Sequence, residues 1–223
     1  MKIEVVEKAE RKLEELCREP ILSKYLDPKL RIPKPYIGKG SIKLIVLGQD
    51  PTTKDQVARK NVKVVLNLDK KKSVWNYLQK ICWGLGIDMN ENVYATNLFK
   101  NFFTMPPTQI KAINIFSAFL SHWQPLLEEE IMQFPDVPVI TLGEPVMQTL
   151  LQPNGMHRVR EYWGYTPEWQ IGRLGSFNYI RPENNILNRT LFPFPHQPSL
   201  RKKFYQLRMH DYIAFVKATG VIA

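Results

Sequence analysis

The stretch Leu44-Ile45-Val46-Leu47-Gly48-Gln49-Asp50-Pro51 constrains the fold of this chain more than any other. Four consecutive apolar residues, two of them β-branched, predict a short strand buried on both faces, as in the middle of a parallel sheet. The run stops at Gly48, which permits a tight backbone path, and Pro51 disfavours helical geometry at Asp50. The Asp50 carboxylate is therefore expected at the C-terminal mouth of the strand, the edge of an open α/β sheet where ligands bind. The same residues also suit a plain Asp-Pro turn whose carboxylate bonds its own backbone.

The rest of the chain alternates between strand and helix signals. Val6, Ala9, Leu13 and Leu16 fall at helical spacing, predicting an amphipathic helix over 3–19 that packs on the outside. Prolines and glycines mark 27–40 as a loop. The segment 52–72 is strongly basic, with Val62 to Leu68 as a short strand or an extended loop. Ser73 is the expected N-cap of a helix over 74–85. Strands are expected at Val93–Thr96, ending in Asn97, at Val137–Leu142 and at Leu191–Phe194. Further helices are expected over 108–121, from Pro125 onward, over 145–151 and over 202–218, the last with Phe204, Leu207, Tyr212, Phe215 and Val216 inward. Residues 153–190 read as loops and irregular strands. With no repeat, low-complexity tract or linker, the whole chain, 1–223, reads as one α/β domain around a mostly parallel sheet.

Thirty-one Lys and Arg against twenty-one Asp and Glu give a formal charge of +10. Such an excess suits a polyanionic partner, or else a basic surface with no partner. Cys17 and Cys82 stand far apart without metal-ligand spacing, so no zinc or iron–sulfur site is expected, and both thiols are expected buried and reduced. Without a signal-peptide core or an apolar run of membrane-spanning length, a soluble, cytoplasmic protein is expected.

Three strand ends carry polar residues in chain order: Asp50, Asn97 and His196. In a parallel sheet these ends share one edge, so a carboxylate, an amide and an imidazole can meet in one pocket. Taken alone, His196 reads as a loop histidine and Asn97 as a turn or cap residue. Together with their surroundings they resemble the uracil-DNA glycosylase superfamily. The resemblance rests on Leu47-Gly48-Gln49-Asp50-Pro51, Tyr94-Ala95-Thr96-Asn97-Leu98, Gly143-Glu144-Pro145 and Phe194-Pro195-His196-Gln197-Pro198-Ser199-Leu200, in matching order over roughly 40–215. It implies a three-layer α/β/α sandwich around a short, mostly parallel four-stranded sheet. It also implies a monomeric DNA base glycosylase that needs no metal or cofactor and takes uracil-containing or damaged DNA as its partner.

The residue types suit that chemistry. Breaking an N-glycosidic bond builds positive charge on the sugar and negative charge on the departing base. Asp50 can stabilise the cation and orient or deprotonate the attacking water, and a neutral His196 can donate to the base carbonyl. Asn97 can read a pyrimidine edge, and the resemblance implies backbone contacts to the base from Gln49. The base must be extruded to reach such a pocket. Arg201, Lys202 and Lys203 are placed to hold phosphates, with Ser199 beside them. Leu200 is either an apolar wedge in the vacated stack or the first core residue of the last helix. Phe99, Phe102 and Phe103 read as core.

Four departures concern specificity. Thr52 stands where the uracil-specific branch has a Tyr that rejects thymine, and Thr53 stands where a His usually follows. The stacking Phe falls near Val65 or Leu66, and Gln197 separates His196 from Pro198. A wider pocket that tolerates 5-substituted uracils is expected. The alternative is a nucleic-acid-binding protein on the same fold that no longer cleaves.

Overall fold

In the computed structural model, which describes residues 2–152 and 156–222, the apolar run Leu44–Gly48 forms strand β2, and each of its residues is buried. The other strands are β1 (Tyr36–Ile37), β3 (Val93–Asn97), β4 (Val139–Leu142) and β5 (Leu191–Phe194), in the spatial order β1-β3-β2-β4-β5. Strand β2 runs parallel to both neighbours, pairing Gly48 with Asn97 on one side and Leu47 with Thr141 on the other. The β4–β5 pair is also parallel.

The protein is thus α/β with a mostly parallel sheet, but among the described residues the sheet has five strands, not four. The additional strand, β1, lies in the stretch that prolines and glycines mark as loop. It pairs antiparallel, Tyr36 with Ala95 and Ile37 with Tyr94. Two residues at a sheet edge need no donor from the flanking Pro35, so the local composition hides the strand. Pro193 is tolerated in β5 for the same reason: β5 forms the opposite edge.

The helices are α1 (Lys2–Arg18), α2 (Gln56–Arg59), α3 (Ser73–Leu85), α4 (Met89–Asn92), α5 (Ile115–Met132), α6 (Glu144–Leu150), α7 (Val159–Tyr162) and α8 (Lys203–Ala218). The β2-to-β3 and β3-to-β4 connections step in opposite directions along the sheet, so the right-handed rule for parallel crossovers puts α3 and α5 on opposite faces. Helix α8 packs against α3, and α1 against α5. The phenylalanines after β3 are core, as expected, with Phe99 and Phe103 edge-on to each other and to Phe119 of α5.

Several local expectations are corrected. The helices expected over 108–121 and from Pro125 are one, α5, which begins at Ile115 and runs through Pro125. Pro125 and Ser121, whose carbonyl loses its partner, are both exposed, while Trp123, Leu126 and Leu127 are buried. The freed carbonyl stands on the exposed side of the helix, and the buried apolar face holds the helix together. Ser73 is the first residue of α3; the cap is Lys72, without a side-chain bond. Leu207 of α8 points to solvent, 61% exposed, and Cys17 is only half-buried. In 153–190 the chain forms α7 and short 3₁₀ turns, with isolated bridges Leu151–Asn185 and Ile180–Leu191; its first three positions, 153–155, lie outside the described residues. Residues Val62 to Leu68 make one bridge, Lys34 to Val64, and then wind into a 3₁₀ turn over Val65–Lys70.

A buried ion pair holds the end of β3. Lys100 Nζ lies 2.8 Å from Glu130 Oε1 of α5, and both side chains are almost fully buried. The ammonium also donates to Thr96 Oγ1 and to the Asn97 carbonyl, each at 2.7 Å, and the Tyr94 hydroxyl donates to Glu130 Oε2 at 3.0 Å. Burial presses the Lys100 pKa down, against the opposing effect of Glu130. Leaving one charge unpaired there is costly, so Lys100→Met is expected to lower stability by about 3–5 kcal/mol in urea denaturation. Adding Glu130→Leu should recover most of that loss; no recovery would show that the pair is not the source.

Candidate active site

Strand order reverses between β2 and β4, since β2 connects to β3 on one side and β3 then crosses to β4 on the other. At this switch point the C-terminal ends of β2 and β4 open onto a cavity of about 530 Å³. Gly48, Gln49 and Asp50 line it from β2, Leu142, Gly143 and Glu144 from β4, and Pro195 and His196 from β5. A larger concavity of about 750 Å³ lies beside α5 and shares Thr108 and Pro145 with the first. It is lined by no carboxylate or imidazole, so the smaller cavity is the candidate site.

Asp50 adopts the turn that its sequence allows and also faces the cavity. Its Oδ1 accepts from the Thr52 backbone N–H at 2.7 Å, and its Oδ2 accepts from Gln49 Nε2 at 2.7 Å. Burial nevertheless dominates and pushes the Asp50 pKa up to about 6, against hydrogen bonds from the side chain and backbone of Thr52, the Gln49 donor and the charge of Arg59. The turn is stapled from behind. Thr52 Oγ1 accepts from the Phe103 N–H at 2.8 Å. The buried Arg59 guanidinium donates to the carbonyls of Thr53, Phe103 and Thr104 at 2.6–3.0 Å. Sequence alone does not separate Arg59 from the other cations of 52–72; only its burial does.

His196 follows β5 and is positioned through the backbone. Trp163 Nε1 donates to the Pro193 carbonyl at 2.8 Å, and the Tyr77 hydroxyl to the Pro195 carbonyl at 3.0 Å. Gly143 has a φ of +96°, and a Cβ there would stand 3.3 Å from that of His196. Glycine is therefore needed both for the turn and for the close approach. His196 lines the cavity while staying exposed to solvent, and the desolvation it does undergo lowers its pKa, which favours the neutral ring.

Asn97 is not in the cavity wall. It is 1% exposed, on the far side of β2 from the switch point, and its Oδ1 is buried without a partner among the described residues. A Cβ on Gly48 would stand 2.5 Å from that oxygen and 2.7 Å from Leu66 Cδ2. The missing side chain at Gly48 thus lets the amide reach toward the cavity, and Leu66 covers the gap. Of the two candidates for the stacking position, Leu66 lines the cavity and Val65 is buried in the core. Leu66 and Asn67 have φ of 56° and 53°, a left-handed turn unusual for leucine. No composition signal in the sequence marks that turn.

Ser199 and Lys202 line the cavity with Thr52. Lys203 faces a neighbouring cleft, Arg201 is exposed, and Leu200 is half-buried against the core. Glu144 and Tyr205, which sequence reasoning did not assign to the site, also line the cavity. Among the described residues no three His, Cys, Asp or Glu side chains converge as a metal site, and no helix is long and apolar enough to cross a membrane. Compared with known proteins, the chain matches no family model, and no curated protein matches its sequence.

The raised Asp50 pKa carries a sign for stability. The native fold favours the protonated carboxyl, so ionising it as pH rises through about 6 costs stability, at most about 3 kcal/mol for a carboxyl whose pKa climbs from about 4 to about 6. Asp50→Asn is therefore expected to raise the Tm at pH 8 by several degrees, an advantage that shrinks as pH falls from about 6 and disappears below about pH 3, where native and unfolded carboxyls are both protonated. Thermal melts at the two pH values check this.

Proposed function

We propose that the protein is a monofunctional DNA base glycosylase that hydrolyses the N-glycosidic bond of uracil or a related damaged base, on the three-layer scaffold of the glycosylase superfamily it resembles. One observation carries the reading: Asp50 and His196, which lie almost 150 residues apart in the chain, line the same cavity at the switch point of the sheet. The Asp50 carboxylate, held by two short hydrogen bonds, stabilises the sugar cation and orients the attacking water. A neutral His196 donates to the base as negative charge develops on it. Thr52 is small, and hydrogen bonds with Asp50 and Phe103 hold it in the turn, so nothing bulky guards the position of a 5-substituent. These roles need DNA as substrate and no metal or cofactor.

A second reading has its own observation. With Leu66 seated over Gly48 and Asn97 behind it, the amide that would read the base is covered, as suits a nucleic-acid-binding protein that no longer cleaves. Incision of oligonucleotides containing uracil, hydroxymethyluracil, hypoxanthine or mismatched thymine separates the two. Base release supports the glycosylase; salt-dependent binding with no alkali-labile site on any substrate supports the second reading.

If base is released, Asp50→Asn is expected to lower kcat by at least about 10²–10³, the cost of one electrostatic group aimed at a developing charge. Because ionised Asp50 and neutral His196 are both needed, kcat/KM should rise with pH through about 6 and then level off. A rate that falls over this interval would remove Asp50 from the role.

A further inference from the structure

Beside the catalytic cavity lies a second cleft of about 490 Å³, which shares Glu144, Lys202 and Tyr205 with it. Four cations line this cleft: Arg158 and Arg160 from the α7 region, and Lys202 and Lys203 at the start of α8. Among the described residues none of the four is within ion-pair distance of a carboxylate. Glu144, at the border with the catalytic cavity, is the one acid in the lining. The Arg160 guanidinium lies 4.0 Å above the Tyr165 ring, and its Nε is buried with no partner among the described residues. A guanidinium stacked on a ring, with a buried and unpartnered Nε, is prepared for an anion.

Charge alone would suit any polyanion, but the cleft also holds aromatic rings. Tyr165 and Trp169 are half-buried on its wall, their centroids 6.5 Å apart, with Phe204 packed edge-on against both. Partly exposed rings among unpaired cations match a ligand that presents a π-face and a phosphate within one unit, which is a nucleotide. A base within a duplex has both faces stacked on its neighbours and cannot present one to a ring.

We infer that this cleft binds an unstacked nucleotide of the DNA strand, next to the nucleotide extruded into the catalytic cavity, so that the substrate is single-stranded DNA or DNA with an unpaired flank. The inference rests on the glycosylase reading for what occupies the first cavity. Lys202, which lines both, stands where the phosphate between the two nucleotides passes. Tyr165 or Trp169 stacks on the neighbouring base, and Arg158, Arg160 and Lys203 hold its phosphate. No residue of the cleft takes part in bond cleavage.

The test uses the full chain carrying Asp50→Asn, which slows turnover enough for a binding measurement, and a fluorescent single-stranded thymidine oligonucleotide with one central deoxyuridine. Trp169→Leu is expected to weaken binding by about 5- to 100-fold, the range for loss of one base-stacking ring, and Trp169→Phe should restore most of it. Arg160→Gln and Lys203→Gln should each reduce the salt-dependence slope by about 0.7, the value for one single-strand phosphate contact. Pairing one flank of the uridine with a complementary strand should weaken binding at least tenfold and abolish the effect of Trp169→Leu. Affinity and salt slope unchanged in Trp169→Leu and in Lys203→Gln, a substitution at an exposed position, would overturn the inference. So would equal affinity for paired and unpaired flanks. In the chain with Asp50 intact, base release that is normal in these variants, KM included, removes the cleft and leaves the glycosylase. Tight, cleft-dependent binding with no base release from any substrate leaves the cleft and removes the glycosylase.

Discussion

A strand covered on both faces and paired along both edges can place polar groups only at its ends. Strand β2 is such a strand: β3 and β4 flank it, and every residue from Leu44 to Gly48 is buried. At its C-terminal end the chain must turn, satisfy freed backbone groups and re-enter water within a few residues. Asp50 meets part of that demand by accepting the Thr52 N–H. Leu98 and Phe99 meet another part by donating to the carbonyls of Gly48 and Gln49 at 2.8 and 2.9 Å. The carboxylate is thus a turn element and a cavity group at once, and the turn makes its position stiff.

That stiffness is supported at a distance. Arg59 and Thr52 tie the turn to the segment after β3, and Lys100 ties the same segment to β3 and, through Glu130, to α5. Trp163 and Tyr77 do the equivalent for the chain that carries His196. Each support uses a buried or half-buried polar group on a backbone carbonyl or amide, where bonds strengthen as water is excluded. In contrast, the left-handed turn at Leu66 and Asn67 is locally unfavourable and stands because its surroundings hold it. The covered recess in front of Asn97 depends on that turn.

The strands and most helices were legible because burial on both faces leaves an unbroken apolar run, and burial on one face leaves a period of 3.6 residues. Asp50, His196, Ser199 and Lys202 were legible as strand-end or post-strand polar residues. What escaped was set by partners remote in the chain. Strand β1 exists because β3 offers it an edge. Helix α5 continues through Pro125 because Trp123, Leu126 and Leu127 find a core to enter. Arg59 looks like its basic neighbours until the carbonyls of Phe103 and Thr104 come within reach.

By itself the sequence determined the α/β class, the central strand and the polar residues at its mouth, because those follow from local apolar pattern and from Gly and Pro geometry. Only the tertiary structure decided which of them share a cavity. Asp50 and His196 do, since β2 and β5 flank β4 at the switch point, whereas Asn97 lies across Gly48 behind Leu66. Cavity membership depends on strand order and on side chains brought together across long loops, neither of which is encoded in any one stretch of residues.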